Sequence, residues 1–556
     1  MNLLSHDLNC ERFTLQAYER LRVSGLAIAV MGLLLTAICS RYRTRLSHAL
    51  NRRTLSEDFQ QFIRLPSARL MPADLAILCV TIACGLAARL SYLNQPMRGD
   101  ECITFLQYGV VSFLTCISDY GAPNNHLLNS ALINLCVHIF PEQPWLIRLP
   151  SLIFGLAIIP ATFLYARAFH NKACAPLAAA LVAGSSYLVE YSVLARGYTM
   201  VAAATLLMAV MLRRLLMKPN TLYAGFLAVT IALGCYAIPT MVYSIGGAYI
   251  WMATTLTIEK CTIDRRAAFF ALASITCGAL LTVLLYLPVI IFSGPAKLFC
   301  NEYVEKRPFH YWIEHIPTSL LQTWDLFNRD VWPPISALLV VCFFLSAYVT
   351  FRRTTWQVPF VAMAILATIA LLTVQQVLPY PRVWLFVLPL YLSAAAHGLS
   401  YSLNAVSNKR STRKVLCGSV AVAIAVVSAT AVIARRSIWL SDEGGYLPEA
   451  NEIVEWLRAN WRQGQGVFVV APKDVLIAYY FRRHSLPEQS LHSEYVNPLA
   501  KSAVRFNRCV FVIPESCNPE RSIEKFMDAT GYSKPIEAAR FAHALVYFVD
   551  GKNQRQ

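Results

Sequence analysis

Two adjacent carboxylates stand at residues 100 and 101, in the sequence Arg98-Gly99-Asp100-Glu101. They directly follow an apolar stretch, 73–93, that is long enough to cross a bilayer. Acids that lie in water but close to lipid are suited to acid–base chemistry on a lipid-linked substrate. The alternative is a solvated turn, in which Gly99 makes the bend and Arg98 pairs with an acid. The residue types alone leave both interpretations open.

Arginines near other predicted membrane ends indicate an anionic ligand. Arg196 precedes Gly197-Tyr198 between two apolar stretches, and Arg382 ends the short turn Tyr380-Pro381-Arg382. A guanidinium in such a place needs water or an anion, and a lipid phosphate can accept two of its hydrogen bonds. Interfacial anchoring of a helix end is the alternative for both arginines. His126 is a candidate hydrogen-bond partner of the substrate, or else a structural helix cap.

Metal and nucleotide sites have little support in the sequence. His310, Glu314 and His315 are spaced too loosely for a defined metal site, and a solvated loop explains them better. No P-loop or strand-linked GxGxxG occurs, so no nucleotide site is expected. The sequence identifies no cofactor with certainty, and the need for a divalent cation stays open.

The composition predicts a polytopic membrane protein. Of the 556 residues 56% are hydrophobic and 15% are charged, against about 25% charged in soluble proteins. About twelve stretches are long and apolar enough to be spans. They are 23–40, 73–93, 148–167, 175–191, 198–213, 221–237, 240–257, 267–292, 335–350, 357–376, 382–400 and 415–434.

The net charge is +17, and the basic residues that produce it are concentrated in the connections on one side of the membrane. Every odd connection between the predicted spans is rich in Lys and Arg, which places those connections in the cytoplasm. The even connections, including the long ones at about 94–147 and 293–334, then face outward together with the C-terminal region. Because the basic residues are explained in this way, we expect no nucleic-acid partner.

The composition changes after Arg436. Helix-like segments near 449–458, 474–480 and 519–530 alternate with strand-like segments at 466–470, 509–513 and 544–549. This alternation predicts a small α/β domain. The domain organisation predicted from sequence is therefore a transmembrane domain at 1–434 and an extracytoplasmic α/β domain at 435–556.

Several of these segments together resemble the GT-C glycosyltransferases, in particular the branch of protein O-mannosyltransferases and bacterial aminoarabinose transferases. Asp100-Glu101 resembles the acidic pair of their first outer loop. Asn124-Asn125-His126-Leu127-Leu128 resembles their Asn/His-Pro-Leu segment, with Leu127 where Pro is common. The stretch with Arg148, Pro150, Ser151 and Gly155 resembles their Arg-x-Pro-Ser-x-x-x-Gly entry into the next span, and Arg196-Gly197-Tyr198 resembles their Arg-x-Tyr turn. The likeness covers about the first 200 residues, and a late Tyr-x-Arg turn matches at Tyr380 to Arg382.

The resemblance implies an activity and roles for residues. It implies sugar transfer from a polyprenyl-phosphate donor to an acceptor on the outer face of a bacterial inner membrane, with Asp100 as general base and Glu101 supporting it. Arg196 and Arg382 would bind the donor phosphate, with His126 and Tyr198 in the substrate site. From its own position at an outer helix end, Glu190 is expected to pair with Arg196. The acceptor could be a glycan, a lipid or a protein.

Two further classes of function remain. A transporter or flippase would place ionisable residues at the bilayer midplane, often in paired repeats, whereas here they gather at one surface and no repeat is visible. A non-catalytic protein of the same fold, acting in assembly of the cell envelope, would retain the same spans and is not distinguished by sequence.

Overall fold

The computed structural model describes residues 57–60, 70–121, 124–258, 265–299, 305–353, 359–406, 409–494, 506, 508–530 and 535–550. The predicted span 23–40 lies outside these residues. The chain forms two compact units: the helical unit, Met1–Leu93 with Tyr108–Ile438, and the α/β unit, Asn94–Gln107 with Trp439–Gln556.

The helical unit is built from helices joined mostly by short turns. In chain order they are α1 Pro72–Leu90, α3 Phe113–Ser118, α4 Leu127–Ile139, α5 Pro144–Phe169, α6 Cys174–Ala183, α7 Ser186–Ser192, α8 Tyr198–Met217, α9 Thr221–Ala237, α10 Met241–Ile258, α11 Arg265–Phe292, α12 Ala296–Phe299, α13 Phe309–Phe327, α14 Pro333–Arg353, α15 Phe360–Gln375, α16 Val387–Ala405 and α17 Arg410–Arg435; α2 belongs to the α/β unit. A 3₁₀ turn, Pro381–Trp384, precedes α16.

Seven of the helices in the described part of the chain are long and apolar enough to cross a membrane, and the bent pair α6–α7 would make an eighth. The protein is thus an integral membrane protein. Burial separates the centre of the bundle from its periphery: 67% of the apolar window of α8 is buried, but only 22% of those of α1, α11 and α14. The peripheral helices present large apolar side chains outward, such as Phe344 and Val341, as a lipid-facing surface requires.

Each of the eleven predicted spans in the described chain corresponds to helix, with two corrections. The stretch 175–191 is not one straight helix, because α6 ends before Gly184 and α7 starts at a bend of 62°. At Gly184 the chain approaches α17 so closely that a Cβ atom would overlap the Ser428 side chain. The stretch 382–400 begins with the 3₁₀ turn instead of an α-helix, and α16 starts only at Val387.

Glycines allow several helix pairs to pack at backbone contact, as is common between membrane helices. A Cβ atom on Gly398 of α16 would overlap the carbonyl group of Cys342 on α14. A Cβ atom on Gly155 of α5 would likewise overlap Ser192 at the end of α7. These contacts leave no space for a methyl group.

The α/β unit contains the predicted alternation of strands and helices. Its elements are α2 Gly99–Thr104, α18 Ala450–Asn460, β1 Gly466–Val470, α19 Asp474–Arg483, β2 Leu491–Glu494, β3 Arg508–Pro514, α20 Pro519–Thr530, β4 Ile536–Arg540 and β5 Ala544–Asp550; a π-helical turn, Phe105–Gly109, follows α2. The sheet order is β2-β1-β3-β5-β4, with β2, β1 and β3 parallel and β5 antiparallel to both of its neighbours. The sequence predicted β1, β3 and β5, which have apolar runs, and missed the edge strands β2 and β4, which are short and more polar.

The contact at Gly398 gives a direct test of the bundle packing. We expect Gly398→Ala to lower the free energy of unfolding by about 1–3 kcal/mol, because the added methyl group must displace the α14 backbone. The matched control is Gly225→Ala in α9, where a Cβ atom meets nothing within 4 Å and alanine should stabilise the helix slightly. Thermal unfolding in detergent measures both, and equal shifts would contradict the close α14–α16 contact.

Candidate functional site

Asp100 lies in the first turn of α2, and the loop before α18 supports this short helix. The backbone N–H groups of Gly99 and Asp100 donate to the carbonyl oxygens of Gly445 and Gly444, at 3.1 and 2.8 Å. Both of those glycines have positive φ, at 85° and 76°, a conformation that other residues rarely adopt. Chain segments separated by about 340 residues of sequence therefore fix the position of the Asp100 backbone. The Asp100 side chain is partly exposed.

Glu101 is fully buried and has a structural partner. Its Oε2 atom accepts a hydrogen bond of 2.9 Å from the backbone N–H of Arg98, the residue that precedes α2. A glutamate that reaches back in this way closes the start of a helix. The contact gives Glu101 a structural place at the start of the helix that carries Asp100, and its predicted part in catalysis stays a prediction.

Arg98 is also buried and holds the same segment within the α/β unit. Its guanidinium donates to the carbonyl oxygen of Ser441 and to Gln95 Oε1, and it lies 4.8 Å from the ring centroid of Tyr446. Arg98 and Glu101 are therefore buried within the unit, and they do not lie in a solvated turn. Tyr480 adds a further contact by accepting from the Met97 N–H through its hydroxyl group at 3.2 Å.

In the helical unit, His126 and the turn before α8 form one hydrogen-bonded structure. His126 Nδ1 accepts from the Gly197 N–H at 2.9 Å, and the imidazole packs edge-on against Tyr198 with ring centroids 5.1 Å apart. A Cβ atom on Gly197 would make a tight contact, 3.3 Å from His126 Cβ. Because Nδ1 accepts, a neutral His126 carries its proton on Nε2.

Ser151 holds the backbone of Arg196 from the other side. The Ser151 hydroxyl oxygen accepts from the Arg196 N–H at 3.1 Å, and its proton faces the Arg196 carbonyl oxygen at 2.9 Å and Asn129 Oδ1 at 3.1 Å. The Arg196 side chain is largely buried and lies 5.9 Å from the ring centroid of Tyr198. Ser151 belongs to the segment singled out by resemblance, and this contact gives the serine a physical role.

The charges of two arginines converge on His126. Burial lowers the pKa of His126 well below 6.5, and the positive charges of Arg196 and Arg382 lower it further. Arg382 lies on the 3₁₀ turn, with its guanidinium 4.5 Å from the ring centroid of Tyr380. The structure thus brings together four of the six predicted site residues, His126, Arg196, Tyr198 and Arg382, and we call these four the cationic cluster.

Tyr120 belongs to the same region, although nothing in the sequence distinguished it from other loop tyrosines. Its pKa is raised to about 12, chiefly by burial and also by Tyr198, while the charge of Arg196 acts in the opposite direction. Its backbone N–H donates to Ser293 Oγ at 2.8 Å, which ties the first long connection to the end of α11.

Glu190, expected to pair with Arg196, accepts a hydrogen bond from Arg329 at 2.5 Å. The neighbouring Asp330 accepts from the hydroxyl groups of Ser186 and Ser437. Arg329 and Asp330 were not predicted from the sequence, because no motif marks the turn between α13 and α14. Their contacts join that turn to α7 and to the end of α17.

A cleft of about 340 Å³ opens beside the Tyr380 turn. Its walls come from α13 and from residues 377–381, with polar and aromatic groups that include Glu305, Arg307, Tyr311, His315 and Gln322. In the part of the chain that the structure describes, no group of three or more His, Cys, Asp or Glu side chains could hold a metal ion. His315 of α13 thus lines this cleft.

The fold is similar to that of known membrane glycosyltransferases. ArnT from Cupriavidus metallidurans has a TM-score of 0.57 in the apo state and 0.56 bound to undecaprenyl phosphate; each comparison has 11% identity and covers 85% of this chain and 97% of that chain. The Archaeoglobus fulgidus oligosaccharyltransferase, solved in complex with Zn and sulfate, has a TM-score of 0.51 and 12% identity over 85% of this chain and 72% of that one. No protein-family profile matches the chain, and neither does any curated protein. At these identities the comparisons show the fold, which is GT-C with a small C-terminal α/β part.

The buried, neutral state of His126 makes stability depend on pH. Below pH 6.5 the unfolded chain binds a proton that folded His126 does not bind, so acidification lowers the free energy of unfolding. From pH 7.5 to 5.5 we expect His126 to contribute a loss of about 1.4 kcal/mol. His126→Gln should flatten the dependence by this amount in denaturant titrations, whereas His310→Gln, at an exposed histidine, controls for the loss of an imidazole. An unchanged slope in His126→Gln would contradict the assignment.

Proposed function

We propose that this protein is a glycosyltransferase that moves a sugar from a polyprenyl-phosphate donor to an acceptor hydroxyl or phosphate group on the outer face of the membrane. The observation that carries the proposal is the cationic cluster, which gathers two guanidinium groups and a neutral histidine at one end of an apolar helix bundle. The fold supports it, because a protein of the same fold was solved bound to undecaprenyl phosphate.

The donor phosphate is the natural ligand of Arg196 and Arg382. When the bond between the sugar and the phosphate breaks, the leaving phosphate gains negative charge, and guanidinium groups already in place stabilise that charge. His126 adds an Nε2–H donor without a further positive charge, since its pKa is lowered. Tyr198 packs against His126 and lies beside Arg196, so it helps to fix both side chains.

Asp100 is the proposed general base. The acceptor oxygen attacks the anomeric carbon, its proton passes to the Asp100 carboxylate, and polyprenyl phosphate departs with the electron pair of the broken bond. Glu101 acts as a positioning residue, because its carboxylate holds the start of α2 through the Arg98 N–H. The cleft beside Tyr380 is the proposed route for the acceptor, whose polar groups would find partners along its wall.

The basic connections between helices support an orientation for this chemistry. From them we infer that the ends of α5, α8 and α14 lie in the cytoplasm, and that Arg196, Arg382 and the C-terminal unit lie outside. We infer a bacterial inner membrane, with both substrates reaching the protein from its outer face.

Donor turnover by Asp100→Asn tests the base. In nanodiscs, we expect Asp100→Asn to transfer label from polyprenyl-phosphate sugars to a membrane extract about 10²–10⁴-fold more slowly than the wild type. Asp528→Asn changes an exposed acid on α20 and should retain full activity. Equal transfer by Asp100→Asn and the wild type would exclude Asp100 as the base, whereas absence of transfer by the wild type from every donor would favour a non-catalytic scaffold.

Arg382→Gln tests the phosphate site. Removing one charge-assisted hydrogen bond should lower kcat/KM for the donor by about 10- to 150-fold, equivalent to about 1.5–3 kcal/mol. Arg382→Lys should restore part of the loss, because it returns the charge without the planar, two-point contact. Arg458→Gln, at an exposed arginine on α18, is the control. A loss that Lys does not rescue, accompanied by a lowered melting temperature, would indicate a structural arginine instead.

A further inference from the structure

A cavity lies at the other end of the helical unit from the cationic cluster. It has a volume of about 560 Å³ and is formed where α5, α8 and α14 end and α15 begins. Arg213, which lines it, follows Arg196 by 17 positions of nearly continuous helix, a separation of about 25 Å. A donor phosphate held at Arg196 does not reach this cavity, so a ligand bound there would be distinct from the donor phosphate.

Aromatic rings form one wall of the cavity. Tyr165 and Phe169 stack with centroids 4.5 Å apart, Trp251 lies 5.4 Å from Phe169, and Phe360 lies 5.7 Å from Phe169 and 5.9 Å from Trp251. Ala347, Val361 and Ala394 continue the apolar lining. A chain of methylene groups fits this surface, whereas a freely soluble polar molecule would lose its hydration there.

The polar side of the cavity carries one fixed positive charge. The Arg213 guanidinium lies 5.0 Å from the ring centroid of Phe169, and both residues line the cavity. His170 lines it too, and its buried Nε2 atom has no hydrogen-bond partner among the described residues. The ring stacks on His397, whose Nδ1 atom is 2.9 Å from the hydroxyl of Ser346, another lining residue. The site thus offers an arginine and an imidazole nitrogen to an anion, beside an apolar wall.

The same end of the bundle is rich in cations. Arg167, Arg214 and Arg352 lie in the last turns of α5, α8 and α14, whose ends surround the cavity. Basic residues at one membrane surface attract lipids with anionic headgroups. A quaternary ammonium group, the other frequent ligand of aromatic cages, would be repelled by Arg213.

We propose that this cavity is a binding site for an anionic phospholipid of the adjacent leaflet. Its phosphate contacts Arg213 and His170, and one acyl chain lies along Tyr165, Phe169, Trp251 and Phe360. The volume falls within the range of about 300–1,000 Å³ that is usual for ligand pockets. The site is independent of the sugar donor, and the bound lipid fills the space between the ends of α8, α14 and α15.

Photolabelling tests the proposal on the full chain. The protein is placed in phosphatidylcholine nanodiscs that contain a phosphatidylglycerol probe with a diazirine on one acyl chain, and labelled peptides are mapped by mass spectrometry after irradiation. We expect label on peptides from α8, α10 and α15 at the cavity. Arg213→Gln should lower that label about tenfold, and Arg458→Gln, at an exposed arginine on α18, should leave it unchanged.

A further variant and further probes distinguish the proposed anionic lipid from other ligands of the cavity. Ala347→Trp fills the cavity without changing charge and should also remove the label. This second variant keeps the test valid if Arg213→Gln misfolds. Monodispersity and donor turnover show whether each variant is folded. A phosphatidylcholine diazirine probe should label the cavity weakly, and excess inorganic phosphate should not compete. Label that survives in both variants, equal labelling by the phosphatidylcholine probe, or displacement by inorganic phosphate would overturn the proposal.

Discussion

The arrangement of the helical unit depends on the hydrogen bond from the Gly197 N–H to His126 Nδ1. Between α7 and α8 the chain leaves helical geometry inside an apolar bundle, where an unpaired N–H group costs about 1–3 kcal/mol. His126 satisfies one such group and Ser151 the next, so the turn that carries Arg196 is fixed from two sides. Both partners come from helices that pack on this turn. The arginine is therefore held in place before any anion binds.

A comparable constraint applies to Asp100. The helix that carries it is too short to be stable alone, so its position depends on a distant part of the chain. Gly444 and Gly445 supply the carbonyl groups that accept from its first N–H groups. The Glu101 carboxylate accepts from the Arg98 N–H, and the Arg98 guanidinium donates to a backbone carbonyl of the same unit. The catalytic assignment to Asp100 is a proposal, but its preorganised backbone is what a general base requires.

Much of the helical unit could be predicted because membrane spans are encoded locally. Apolar length alone located α9 and α11 to within two residues. The bend at Gly184 could not be predicted, because it depends on a contact with Ser428 more than 240 residues later. The edge strands β2 and β4 were not predicted for a related reason. They are strands because they pair with β1 and β5, and their own composition does not indicate a strand.

Some of the site residues could likewise be identified from the sequence, and others could not. The arginines and acids were identifiable because a charge next to an apolar span is unusual and has few explanations. Ser151 and Gly155 were visible only as parts of a resemblance, and the structure supplies their reasons: one pairs with the Arg196 backbone and the other admits Ser192. Tyr120 and Arg329 carried no signal, because neither residue is unusual in a polar loop.

The position of the donor phosphate tests the central claim most directly. The measurement is a cryo-electron-microscopy structure of the wild-type protein in nanodiscs with undecaprenyl phosphate. The account predicts density for the phosphate within hydrogen-bond distance, about 3 Å, of the guanidinium groups of Arg196 and Arg382. Phosphate density elsewhere in the bundle, with both arginines in their present contacts, would contradict it.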